Sequence, residues 1–152
     1  MDTSTSSSDF FPWWLPVAII GGFVVFFPAL WCGIVWIMSR AGGWNRLAAR
    51  YPAGTRAPEG EECRRVFGMV GMARYKGILK LHFARDGFFM EVMPIFKIGH
   101  PPLFIPWAEV VDRKPFQLLW FRTVRLTIGS PAAGTITLPA DLVEKHQPGG
   151  RM

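Results

Sequence analysis

Charge is scarce in this chain. Asp, Glu, Lys and Arg make up only 18% of its 152 residues and half are hydrophobic, whereas an ordinary soluble domain carries about 25% charged residues. That composition excludes intrinsic disorder. Cysteine occurs twice, at Cys32 and Cys63, too few for a disulfide scaffold. Histidine occurs at 82, 100 and 146 only, and no two His or Cys residues stand at metal-ligand spacing. Beyond the N-terminal tail, serine is confined to Ser39 and Ser130, neither in a nucleophile-elbow pattern. There is no nucleotide-binding motif. Asp86, Glu91, Glu109 and Asp112 form no paired-carboxylate signature. The expectation is a protein that is not an enzyme, with no cofactor, no metal and no small-molecule substrate.

The longest absence of charge runs from Phe10 to Met38. A membrane helix needs about 20 apolar residues, and the stretch from Trp14 to Met38 would rise roughly 37 Å at 1.5 Å per residue. It is apolar on every face rather than along one stripe. Trp13, Trp14, Trp31 and Trp36 lie toward its two ends, where tryptophan meets the headgroup level. Pro28 lies inside it, where a kink is expected. Residues 1–9 carry two aspartates and no basic residue, unlike the basic n-region of a cleavable signal. All 17 basic residues occur at Arg40 or later. The positive-inside rule therefore predicts a single-pass protein of the cytoplasmic (inner) membrane, with its N-terminus outside and its C-terminal domain in the cytoplasm. Ala18, Gly22, Ala29 and Gly33 are spaced by four, seven and four residues on one helical face. Small residues let membrane helices approach closely, so this face is the candidate contact with other integral membrane subunits.

The remaining residues are net positive and numerous enough for one core. The reading divides the chain into a tail at 1–9, a transmembrane helix at 10–38, an interfacial helix and linker at 39–61, a β domain at 62–146 and a tail at 147–152. Trp44, Leu47, Ala48 and Tyr51 recur at helical spacing opposite Arg46 and Arg50, the pattern of a helix lying in the membrane interface. Trp13, Trp14, Trp36, Trp44, Arg46 and Arg50 are thus the expected membrane-interface residues. From Val66 onward, period-2 alternation predicts about seven short strands, including a hairpin turned by Arg85-Asp86-Gly87 and a strand in the apolar run from Phe116 to Phe121. His82 is expected on the outward side of its strand, and His100 in a turn. Residues 139–146 (PADLVEKH) predict a closing helix. The expected fold class is an N-terminal transmembrane α-helix plus a mainly-β domain, a bent antiparallel sheet or barrel with a C-terminal helix.

That order of strands and one helix resembles pleckstrin-homology-like (PH-like) domains, including bacterial and GRAM-type members. Residues 103–110 (LFIPWAEV) are similar to the IPW-x-E/D-I element of the bacterial domains, and residues 84–89 (ARDGFF) to the hairpin upstream of it. The resemblance covers roughly 62–146. It implies a proline that ends a strand, a tryptophan packed into the core and an acid that turns the chain. Phosphoinositide-binding members carry a basic triplet around the first hairpin. Here the match is Lys76, then Lys80-Leu81-His82, without the final arginine. The fold hosts many functions.

Three functions follow, in order. The first is a non-enzymatic accessory or structural subunit of a larger membrane assembly, its helix packed on partner helices and its domain on the cytoplasmic face. The second is a module that binds anionic membrane lipids through Arg64, Arg65, Arg74, Lys76 and Lys80, each worth about 1 kcal/mol beside an anionic leaflet. The third is an enzyme with an unrecognised site. Despite the pI of about 9.9, interleaved residues such as Trp120-Phe121-Arg122 are more simply strand core and solvent face, so no nucleic-acid partner is expected.

Overall fold

In a computed structural model, residues 12–118 and 120–147 are described. The tail expected at 1–9 and most of that expected at 147–152 lie outside them. The described residues fall into two compact units, divided between Gly33 and Ile34. Helix α1 (Trp14–Ala41) is continuous over 28 residues with Pro28 inside it. It is the one described helix long and apolar enough to cross a membrane. Its last two turns, from Ile34, belong to the second unit.

In that unit a short helix α2 (Trp44–Arg50) precedes seven strands. These are β1 (Glu61–Val70), β2 (Ala73–Phe83), β3 (Gly87–Val92), β4 (Leu103–Pro106), β5 (Val110–Leu118), β6 (Phe121–Ile128) and β7 (Gly134–Pro139). Helix α3 (Ala140–His146) closes the chain. The strands make one antiparallel sheet in the order β4-β3-β2-β1-β7-β6-β5, curled into a half-barrel. This is the fold class expected from the sequence. The alternation that predicted β2 and β3 survives as burial, because Leu79, Leu81, Phe88 and Met90 line the core. β4 ends at Pro106, and Trp107 stacks on Phe83 while its indole N–H donates to the Ala84 carbonyl at 3.1 Å. Glu109 accepts from the Tyr51 hydroxyl at 2.6 Å.

Four expectations change. Trp44, expected at the membrane interface, is fully buried, packed against Tyr75 and His100, and donates its indole N–H to the Pro101 carbonyl at 2.9 Å. Helical spacing reports an apolar face without reporting what covers it, and here the half-barrel does. The expected linker is partly strapped down as well. Pro52 bridges to Leu103, the Ala53 amide donates to the Pro102 carbonyl, and Arg56 lies over the Phe104 ring and pairs with Asp86. His82 is buried, edge-on to Phe89, because this large ring stands opposite it on β3 and on the same face of the sheet. Finally, the apolar run at Phe116–Phe121 is not one strand. β5 stops at Leu118, which pairs with Phe121 across a hairpin whose turn contains Trp120.

Candidate functional site

The first unit presents the small-residue face. Ala18, Gly22 and Ala29 are exposed, and a Cβ added at Gly22 or Gly33 would meet nothing within 4 Å. Trp14 and Trp31 on the same helix, and Trp13 just before it, are exposed.

In the second unit the end of α1 is locked onto the β domain. Ser39 is fully buried, and its hydroxyl contacts the Gly99 carbonyl and the Asn45 side chain. Gly42 abuts Ala73 and the Val70 carbonyl, and Gly71 abuts the Gly42 carbonyl. A Cβ at Gly71 would stand 2.2 Å from that oxygen, and Gly71 has φ 56°, so glycine is required there twice over. The turn between β1 and β2 and the β3–β4 loop therefore both lie against the helix end. Trp36 stays exposed, with the Arg40 guanidinium 4.4 Å from its ring centroid. Arg46 is exposed, but Arg50 reaches back to the carbonyls of Pro131 and Ser130.

The basic cluster expected to bind anions is divided. Arg64, Arg65 and Lys80 line a groove of about 440 Å³ together with Leu79, Val92 and Met93. Lys97, which sequence spacing did not indicate, joins them from the β3–β4 loop. Arg65 sits in a β-bulge at φ 56°, a left-handed conformation rare outside glycine. Arg74 and Lys76 are exposed elsewhere on β2 and do not line the groove. Carboxylates already occupy several of its cations. Arg64 contacts Glu62 at 2.5 Å, Lys80 contacts Glu62 and Glu91 at 3.2 and 3.1 Å, and Lys97 contacts Glu91 at 3.7 Å. The Arg64 hydrogen bond holds the Glu62 carboxyl down to about 2.

A second surface lies at Trp120-Phe121-Arg122, where the sequence suggests strand core and solvent face. Trp120 and Phe121 are 90% and 63% exposed at the β5–β6 hairpin tip. Beside them Arg122, Phe116, Gln117 and Glu144 line a groove of about 420 Å³. At the opposite end of β6, the β6–β7 turn and the start of β7 meet α2, through the carbonyl contacts of Arg50 and through Gly134 against Leu47. Seven residues at about 3.3 Å each separate Phe121 from Ile128, roughly 23 Å along the strand.

His100 and Tyr75 have structural partners, whereas the buried His82 Nε2 makes no hydrogen bond among the described residues. His100 is buried between Trp44 and Tyr75, its Nε2 2.9 Å from the Tyr75 hydroxyl and its Nδ1 3.0 Å from the Ile98 carbonyl. Burial lowers its pKa and raises that of Tyr75. Burial also raises the Cys63 thiol, with Glu61 adding to the effect. Among the described residues no group of three or more His, Cys, Asp or Glu could hold a metal ion. No family profile, curated protein or solved structure matches the chain.

Proposed function

We propose that the chain is a single-pass membrane protein whose β domain is a non-enzymatic docking module, an accessory subunit of a larger membrane assembly. Strand order and the closing helix support the resemblance to PH-like domains, a fold used here as a scaffold for interaction. One observation carries the reading: a tryptophan and a phenylalanine stand in water at a hairpin tip. Exposing such side chains forfeits a stabilisation of about 1.5–3 kcal/mol for a residue of this size, and a contiguous aromatic tip marks an interaction site. A protein partner would cover that tip. Arg122 beside the tip favours an acidic rim on that partner. The small-residue face at Ala18, Gly22, Ala29 and Gly33 supplies a second contact, with partner helices.

The lipid-reading alternative through the β1–β2 cations is weaker, because Glu62 and Glu91 already neutralise Arg64 and Lys80. The test is the native mass of full-length protein extracted from its own membrane in mild detergent. The wild type is expected in an assembly heavier than its detergent-bound monomer, and Trp120→Ser with Phe121→Ser is expected to release it. An assembly of unchanged mass removes the tip from the interface, and a wild-type monomer removes the accessory-subunit reading.

A further inference from the structure

The helix end and the β domain share a third surface, distinct from the docking tip and meeting the basic groove only at Lys97. Two loops converge on the last turn of α1. One is the β1–β2 turn, held by the Gly42–Gly71 approach; the other is the β3–β4 loop, held by Ser39 on Gly99. Both loops carry large apolar side chains turned to water. Met72 is 84% exposed, Ile95 63% and Ile98 46%. None of them is needed by the core, which is complete without them. Cations alternate with them: Arg40 at the helix end, Arg74 just after the β1–β2 turn, and Lys97 between the two isoleucines. Lys97 is more than half exposed, with Glu91 at 3.7 Å.

Apolar side chains interspersed with lysine and arginine are the chemistry of a surface lying at a bilayer interface, where binding grows with buried apolar area and with attraction to anionic lipid. The position supplies the occupant. Gly71 and Gly99, the chain neighbours of Met72 and Ile98, lie against the end of an apolar helix of 28 residues, and the exposed Trp36 near that end is of the residue type that prefers the headgroup level. We infer that this face is a membrane seat: Met72, Ile95 and Ile98 enter the interface of an anionic-lipid bilayer while Arg40, Arg74 and Lys97 meet its headgroup phosphates. The inference rests on the proposed membrane anchoring and adds a second attachment to it.

The test uses the full-length chain with Cys32 and Cys63 replaced by alanine and one new cysteine at position 72, 95, 98 or 120. Each carries an environment-sensitive fluorophore and sits in vesicles of phosphatidylcholine and phosphatidylglycerol. Labels at 72, 95 and 98 are expected to emit to the blue of the label at 120. Nitroxide-bearing lipid should quench them several-fold more strongly, and aqueous iodide less. Iodide quenching equal to that at 120 overturns the seat. Shielding from both quenchers assigns the face to a second copy of the chain and also overturns it. Lys97→Glu with Arg74→Glu should weaken lipid quenching at 95; unchanged quenching refutes the headgroup contacts. Loss of the whole chain from the vesicles in an alkaline wash defeats the anchoring itself, an outcome distinct from retained protein with a water-exposed label.

Discussion

Replacing Trp44 separates two incompatible roles for one residue. At a membrane surface, Trp44→Ala would weaken lipid contact and leave the fold intact. In the observed position the indole is fully buried, touches Tyr75 and His100, and donates one hydrogen bond to Pro101. Truncating a buried aromatic costs about 3–5 kcal/mol. Trp44→Phe keeps most of the ring but leaves the Pro101 carbonyl without its donor, a loss of about 1–2 kcal/mol. A domain of this size totals about 5–15 kcal/mol, so the alanine variant forfeits a large share of its stability. At about 4 °C per kcal/mol, Tm should fall by about 12–20 °C for Trp44→Ala and by about 4–8 °C for Trp44→Phe. The assay is thermal unfolding of the full-length protein in one detergent, followed by near-ultraviolet circular dichroism. Equal melting of all three proteins to within about 2 °C, well below what 1 kcal/mol produces, would refute the core assignment. A larger loss for phenylalanine than for alanine would refute the argument from volume.

Gly71→Ala should unfold the helix–domain joint at lower temperature than wild type, because its Cβ has no room beside the Gly42 carbonyl; unchanged melting would contradict that close approach. Ser39→Ala leaves the part-buried Gly99 carbonyl short of a donor and should cost about 1 kcal/mol, read as faster amide exchange in the β3–β4 loop with little change in β6. Burial holds His82 and His100 below the ordinary histidine value of 6.5. The unfolded chain therefore binds more protons at mildly acidic pH. Stability should be flat above the ordinary value and fall as pH drops through it, by up to about 1.4 kcal/mol per pH unit for each histidine. A denaturation midpoint independent of pH between 7 and 5 would contradict both burials. Cys63, its thiol raised by burial, should react with maleimide at pH 7 more slowly than a free peptide cysteine, and full-rate labelling would place it in solvent.

The apolar run of α1 and the period-2 strands were legible in the amino-acid order because they rest on local quantities. A helix that is apolar on all sides, and a strand that alternates, announce themselves within ten or twenty residues. The glycine, proline and aspartate turns were equally local, as at Asp86-Gly87. Trp120 was misread for the same reason: an apolar run with no turn residue looks like a strand, and only the pairing of Leu118 with Phe121 shows that the chain reverses there. The sequence also identified Arg64, Arg65 and Lys80 as neighbours, since they lie on adjacent strands of one hairpin. It did not add Lys97, nor place Glu91 against Lys80, because those contacts join residues brought together by β3 and its loop. Sequence alone determined that this chain pairs a membrane-length apolar helix with a curled β domain of seven strands. Only the tertiary structure decided which apolar side chains that domain covers. Trp44 and His82 are inside; Met72, Ile95, Ile98 and Trp120 are outside. Hydrophobicity belongs to a residue, but burial belongs to the surfaces that close around it.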